Sequence, residues 1–152
     1  MMTLLLSLFP TVASSNEVGG AIRGLVAPVL TPFTPAGDVD ISRVSALAAH
    51  LNQTGVMWAF TAGTTGESTD LTVSERKLLA EEWLSVSKAF GLRVIVHVGC
   101  DSINDARELA THAEKNGAAA IAAMPPTYFK PANAGALAMT LAVMCAFCGH
   151  NA

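Results

Sequence analysis

Charged residues, cysteines and long apolar runs are all scarce in this sequence of 152 residues. Asp, Glu, Lys and Arg together make up only 14%, the net charge is −3, and the nine basic residues form no stripe. We therefore expect no nucleic-acid partner. No apolar run approaches the roughly 20 residues that a membrane span needs, so no membrane partner is expected either. Cys100, Cys145 and Cys148 make an odd set, which favours a reducing compartment, the cytoplasm, over a disulfide framework.

The hydrophobic content, by contrast, is high at 51%, and the length suffices for one domain with a real core. The apolar run Leu4–Phe9 faintly resembles a signal peptide, but no basic residue precedes it. We expect residues 1–21 to be a disordered leader. Secretion is the alternative that this segment leaves open.

Strand-like and helix-like segments alternate from residue 22 onward. Strand onsets fall near residues 25, 56, 93 and 119, and the strands are unbroken apolar runs. This pattern is typical of parallel strands covered by helices, and it predicts an α/β fold of about four βα units. Either half of a (β/α)8 barrel or a small doubly wound sheet fits four such units. Residues 22–137 form this domain, and residues 138–152 make an apolar tail without charge.

The most informative motif is Gly63-Thr64-Thr65-Gly66-Glu67, directly after the apolar run Val56–Phe60. Glycines let the backbone turn tightly and approach a ligand closely. Two hydroxyls and the neighbouring N–H groups can then point at one carboxylate or phosphate. The alternative interpretation is an ordinary polar turn whose threonines cap a helix.

Other candidates favour structural interpretations. His97 lies among apolar neighbours and is expected to be a packed, hydrogen-bonded histidine rather than a base, and Cys100 a small buried filler. Glu67 braces the segment that follows it. Cys145, Cys148 and His150 have the outline of a metal clip but supply only three ligands, so we expect no metal.

Several segments, in this order, resemble the pyruvate-dependent class I aldolases of the N-acetylneuraminate lyase and dihydrodipicolinate synthase family. Together they run from about residue 22 to residue 137. The matching segments are Gly24–Phe33, Asp38–Asp40, Gly63–Glu67, Val73–Trp83, Val94–Gly99 and Pro126–Pro131. Within the family, His97-Val98-Gly99 and Ser74-Glu75-Arg76 with Trp83 look more like the lyase branch.

The resemblance implies an incomplete (β/α)8 TIM barrel with its site at the carboxyl ends of the strands. It implies that Thr64 and Thr65, in the loop bounded by Gly63 and Gly66, hold the carboxylate of a keto acid or sugar acid. Thr65 would also join a proton relay. Tyr128 matches a family tyrosine at the dimer contact near the site, although a rim aromatic is an equal alternative. A homo-oligomer, a tetramer in the family, and no cofactor are also implied.

The resemblance also identifies what these residues lack. The family's Schiff-base lysine lies on the sixth strand and its principal catalytic tyrosine after the fifth, beyond the four units present. None of the four lysines, Lys77, Lys88, Lys115 and Lys130, matches the nucleophile. We therefore expect a lyase cleaving N-acetylneuraminate to N-acetylmannosamine and pyruvate, here truncated and inactive alone. The alternatives are a dihydrodipicolinate synthase or other keto-acid aldolase, and a non-catalytic half barrel that associates with full-length subunits.

Overall fold

The computed structural model describes residues 5–8 and 22–145, with backbone only for residues 5–8, 144 and 145. Five strands and four α-helices are described. The strands are β1 (Leu5–Leu8), β2 (Val26–Pro28), β3 (Trp58–Thr61), β4 (Arg93–His97) and β5 (Ala120–Ala123). The helices are α1 (Val44–Gln53), α2 (Val73–Phe90), α3 (Ile103–Lys115) and α4 (Ala134–Cys145). None of these helices is both long and apolar enough to cross a bilayer.

Strands β2 to β5 form a parallel sheet in chain order, so the predicted α/β fold is confirmed. Register pairs include Val26 with Trp58, Trp58 with Arg93, and Ile95 with Ala120. Each strand is followed by a helix that returns the chain to the opposite edge. The loops that leave β2 to β5 therefore lie together at the carboxyl edge of the sheet.

Strand β1 differs from the expectation of a disordered leader. Residues 5–8 pair antiparallel with β5, with Leu5 opposite Ala123 and Leu8 opposite Ala120. The physical reason is that the outer edge of β5 offers backbone N–H and C=O groups that an apolar strand can pair. For residues 5–8 the prediction of disorder is therefore wrong, and residues 9–21 lie outside the described part.

The helix starts follow the sequence signals. Asp40 accepts a hydrogen bond from the Ser42 amide and opens a short 3₁₀ turn that leads into α1. Thr72 and Glu75 form a reciprocal capping box on α2, and Ser102 accepts from the Asp105 amide at the start of α3. These local hydrogen bonds satisfy amides that have no partner in the first helical turn.

Helices pack on one face of the sheet and build the larger part of the core. Its largest buried side chains include Trp83, Leu79, Val94 and Ile121. A smaller cluster on the opposite face holds Trp58, Ile95, Ala120 and Ala122.

Helix α4 crosses position 137, where the sequence analysis ends the barrel segment. It packs against α3, and its Leu141 is buried, whereas Met139 is 70% exposed. The apolar character of this segment is thus partly accounted for by packing. Residues 146–152 of the predicted tail lie outside the described residues.

Candidate functional site

The loop after β3 is a tight turn held by its own backbone. The Gly63 carbonyl accepts from the amides of Gly66 (3.1 Å) and Ser68 (3.2 Å), and the Thr64 carbonyl accepts from Glu67 (3.1 Å). Ala62 and Glu67, on either side of the turn, both have a φ of 53°. Left-handed backbone at two residues with side chains is uncommon and is often found at binding sites.

Both glycines of this loop lie where a side chain has little room. A Cβ on Gly63 would lie 2.3 Å from the Phe60 ring, and one on Gly66 would lie 3.2 Å from the Val29 carbonyl oxygen. The buried Thr31 hydroxyl donates to the Gly66 carbonyl at 2.7 Å. Thr31, at the exit of β2, therefore fixes the loop from the neighbouring strand. Local sequence patterns do not reveal this role, because the hydrogen bond joins residues 35 positions apart.

Thr64 and Thr65 are both exposed at the carboxyl edge of the sheet. Their hydroxyls make no hydrogen bond to any of the described residues, so both are free to meet a ligand. Neither residue lines the two described cavities, of about 510 Å³ along α3 and about 310 Å³ between the loops after β3 and β4. Carboxylate binding by Gly63, Thr64, Thr65 and Gly66 stays a prediction.

Tyr128 lies in the loop after β5, two strands away from the loop after β3 that holds Thr64 and Thr65. It is 80% exposed and packs edge to face on Phe129, with ring centroids 4.9 Å apart. Asp101 holds this loop by accepting from the Thr127 hydroxyl (3.2 Å) and the Tyr128 amide (3.4 Å). Hydrogen bonds from the Thr127 and Tyr128 backbone lower the pKa of Asp101. Tyr128 is thus presented outward, and its catalytic or dimer-contact role stays a prediction.

A buried polar cluster lies at the end of β4, between these two loops. Arg76, only 4% exposed, donates to the carbonyls of His97 (2.7 Å) and Gly99 (3.1 Å) and to the Cys100 sulfur (2.9 Å). No local sequence pattern marks Arg76 as a site residue. An arginine in a helix gives no signal by itself, because its partners lie 21 to 24 residues further along the chain.

Burial and the Arg76 charge determine how this cluster ionises. Burial, aided by the nearby guanidinium, lowers the pKa of His97 to about 4, so the imidazole is neutral at pH 7. Burial also raises the pKa of the Cys100 thiol, against the opposing effect of Arg76. His97 is therefore packed and hydrogen-bonded as predicted, and Cys100 lacks the lowered pKa of a reactive thiolate.

Three of the four lysines are on helices, and the fourth is in the loop after β5. Lys77 and Lys115 are on helices, where Lys77 pairs with Glu108, and Lys130 is exposed in a loop. His112 contacts Glu81 at 2.7 Å. In the part of the chain with described side chains, no three His, Cys, Asp or Glu residues group as metal ligands, and the side chains of Cys145, Cys148 and His150 lie outside that part.

The parallel sheet with helices between its strands, and with loops gathered at its carboxyl edge, has the architecture of part of a TIM barrel. The sequence model of the dihydrodipicolinate synthetase family matches residues 21–147. The chain belongs to this family.

Individual related sequences and solved structures agree with this assignment. The N-acetylneuraminate lyase of Danio rerio is 46% identical over 117 residues, which are 76% of this chain and 38% of that protein. The structure of Proteus mirabilis N-acetylneuraminate lyase matches with a TM-score of 0.80 and 38% identity, covering 84% of this chain and 43% of the lyase. The structure of YagE, an E. coli family member solved in complex with pyruvate, matches with a TM-score of 0.77 and 28% identity, covering 84% of this chain and 42% of YagE. The chain thus spans about four tenths of the length of these relatives.

Proposed function

We propose that this chain carries the carboxylate-binding part of an N-acetylneuraminate lyase type of aldolase. The observation that supports this most is the Gly63–Gly66 turn at the carboxyl end of β3, with Thr64 and Thr65 exposed beside each other. A keto acid must have its carboxylate fixed before its C2 carbonyl can face an attacking amine. The likeness to lyases, and to YagE with its pyruvate, supports a 2-keto acid or the sugar acid as the ligand.

In this proposal the two hydroxyls and the adjacent amides donate to the carboxylate oxygens. Hydrogen bonds to a charged acceptor contribute about 1.5–3 kcal/mol each, enough to orient a small acid at an exposed edge. Thr65 then lies next to the reacting carbon, where its hydroxyl passes a proton. Tyr128 contributes from the loop after β5, at a contact between subunits of a homo-oligomer, a tetramer by analogy with the family.

The amine that forms the Schiff base is not among these 152 residues. Class I aldolase chemistry needs a desolvated lysine with a lowered pKa as the covalent catalyst. Lys88, Lys115 and Lys130 are exposed, and Lys77 pairs with a glutamate. We infer that the chain alone binds the acid without cleaving a carbon–carbon bond, and that it works in the cytoplasm.

Reductive trapping tests this assignment. The chain is incubated with pyruvate and borohydride, its mass is measured, and an intact lyase serves as the positive control. We expect no added mass, because no lysine is placed to form an imine. A stable pyruvyl adduct on any of the four lysines would contradict the proposal.

Two other functions compete with this one. A dihydrodipicolinate synthase or another keto-acid aldolase shares the carboxylate loop and differs in the residues that read the second substrate. A non-catalytic half barrel that associates with full-length subunits is favoured by the exposed leucines beside β2, Leu25 (75%) and Leu30 (60%). Mixing the chain with an intact lyase and measuring oligomer size and rate tests the latter function, and unchanged size and rate would exclude it.

A further inference from the structure

The loop after β5 leaves the sheet through two consecutive prolines. Met124, just before them, donates its amide to the ring of His97, at the end of β4, at 3.2 Å. The prolines have a fixed φ and no N–H group, so they are stiff and offer no amide to a neighbour. The next amides that can be bound belong to Thr127 and Tyr128. The direction of the loop beyond the sheet therefore depends on what these two amides contact.

Both amides donate to one carboxylate, that of Asp101 in the loop after β4. The Thr127 amide donates to Oδ1, and the Tyr128 amide donates to the same oxygen at 3.4 Å. The Thr127 hydroxyl adds contacts of 3.3 Å to Oδ1 and 3.2 Å to Oδ2. An ionised carboxylate only accepts hydrogen bonds, and a backbone amide only donates them. The charged form of Asp101 is therefore the one that suits this position.

Asp101 itself lies between two fixed points of its own loop. On one side the Gly99 carbonyl accepts from the buried Arg76 at 3.1 Å. On the other side Ser102 caps α3 by accepting from the Asp105 amide at 3.3 Å. Asp101 follows the first point by two residues and directly precedes the second. Although its side chain is exposed, the carboxylate is thus carried by a well-anchored part of the backbone.

Two aromatic side chains begin where the carboxylate binds the loop. Tyr128 and Phe129 are 80% and 84% exposed, and the edge-to-face contact between their rings is the ring contact that the structure records for either. Little packing therefore holds these rings from outside the loop. An exposed side chain that must meet a partner loses less entropy on binding when its backbone is already fixed.

We propose that Asp101 is a positioning residue, which fixes the direction of Tyr128 by binding the amides of Thr127 and Tyr128 and the Thr127 hydroxyl. We call this set of hydrogen bonds the Asp101 clasp. It joins the start of α3 to the loop after β5 across the carboxyl edge of the sheet. The contact that Tyr128 makes with another subunit rests on the proposed function, whereas the clasp itself does not.

The charge of Asp101 determines the pH range in which the clasp holds. The hydrogen bond from the Thr127 amide is the largest effect that lowers the pKa of Asp101 below its ordinary value of 3.8. The clasp is therefore complete above pH 3.8 and is lost as the pH falls through the lower folded value. The ionisable side chains of the adjoining cavity and of the loop after β5 are those of Arg76, Cys100, Asp105, Tyr128 and Lys130.

Amide exchange on the full 152-residue chain tests the clasp. We expect the Thr127 amide to exchange with water about tenfold faster in Asp101→Ala than in wild type, with part of the protection restored in Asp101→Asn, whose Oδ1 still accepts. Asp105→Asn is the matched control, because it removes the same charge from the wall of the adjoining cavity. Equal exchange in Asp101→Ala and wild type, or equal loss in the alanine and asparagine variants, would overturn the proposal.

The signals of Tyr128 test its positioning. The chain has a single tyrosine, so ¹³C-labelled tyrosine gives one set of ring signals, which we expect the Phe129 ring to displace from the values of free tyrosine. This displacement should diminish in Asp101→Ala and persist in Asp105→Asn. The amide signals of Thr127 and Tyr128 should be constant from pH 7 to about 4.5. An unchanged ring displacement in Asp101→Ala, or an amide step in that pH window that Asp101→Asn abolishes, would contradict the clasp.

Association with an intact lyase separates this proposal from the proposed function. If Tyr128 meets a neighbouring subunit, sedimentation velocity should show weaker association for Asp101→Ala than for wild type or Asp105→Asn. Equally tight association of Asp101→Ala and wild type would overturn the positioning role. Should the wild-type chain not associate at all, the subunit contact of the proposed function fails, while exchange and ring signals still decide the clasp. If Asp101→Ala does not fold, Asp101→Asn and the wild-type pH series give the decision.

Discussion

At the scale of single residues, the site depends on glycines, which have no side chain, as much as on residues with side chains. Gly99, at the exit of β4, has the Met124 backbone in the space that a Cβ would occupy, with the nitrogen at 2.7 Å and the oxygen at 2.9 Å. Both atoms belong to the backbone of the adjacent chain segment and have little freedom to move. The loop after β4 therefore passes the loop after β5 at a distance that only glycine permits.

Gly99→Ala should accordingly lower the free energy of unfolding by about 1–3 kcal/mol, the usual cost of overpacking. Chemical denaturation with circular dichroism measures it. Gly135→Ala, in the first turns of α4, is the control, because its Cβ would meet only the Asn133 side chain at 3.3 Å. There we expect a change below about 0.5 kcal/mol or a gain. Equal stability of Gly99→Ala and wild type would contradict the close approach.

His97 should also make the stability of the fold depend on pH. Its pKa falls from 6.5 to about 4 on folding, so the folded chain binds fewer protons than the unfolded chain in this window. The contribution is complete above pH 6.5 and is lost as the pH falls toward 4, amounting to about 3 kcal/mol at most. Unfolding measured from pH 7 to 4 should show a shallower slope for His97→Gln than for wild type. Parallel slopes would contradict a neutral buried ring.

At the scale of elements, local chemistry determines the helix starts. The Thr72 hydroxyl accepts from the Glu75 amide at 3.2 Å, and the Glu75 carboxylate accepts from the Thr72 amide at 2.8 Å. Hydrogen bonds from Thr72 lower the pKa of Glu75. The stabilisation by this carboxylate is therefore present above its unfolded pKa and is lost as the pH falls through its lowered folded value.

Thr72→Ala should lower the free energy of unfolding by about 1 kcal/mol at pH 7, as the loss of an N-cap does. The difference from wild type should narrow in acid, where Glu75 becomes protonated. Thr69→Ala provides the control, since Thr69 is exposed and is not a helix cap. A Thr72→Ala protein as stable as the Thr69→Ala protein would show that the capping box contributes nothing.

The separation along the chain between interacting residues explains which features the sequence could predict. The positions of β2 to β5, the helix caps and the Thr64-Thr65 turn follow from neighbours within a few residues, and the sequence predicts them well. The inward face of α2 does not follow in this way: Leu78 is 43% exposed although the adjacent Leu79 is buried, and Arg76 and Ser87 are buried as well. Two adjacent leucines leave the helical register ambiguous, and only packing against the sheet resolves it. The partners of Arg76, Thr31 and His97 come from other strands, beyond the reach of local patterns.

At the scale of the whole molecule, the described sheet has β2 at one edge, paired only with β3. Leu25 and Leu30, which flank β2, are 75% and 60% exposed. An edge with unpaired backbone groups and apolar neighbours is a template for association with another chain.

We therefore expect sedimentation velocity to show larger species as the concentration rises. Leu25→Lys combined with Leu30→Lys should shift the distribution toward the monomer, because charge at an edge opposes pairing. Leu78→Lys changes an exposed leucine on α2 and should have no such effect. A single monomeric species at all concentrations would contradict the role of this edge.

Titration of the ¹⁵N-labelled chain with pyruvate is the most direct measurement of the central claim, that the turn after β3 binds the carboxylate of a 2-keto acid. We predict saturable shifts confined to the amides of residues 63–66 and their immediate contacts. Affinity should fall about tenfold in Thr65→Val, which keeps the shape and removes the hydroxyl. Absence of shifts in these amides, or shifts centred instead on the cavity along α3 at Lys77 and Lys115, would contradict the account.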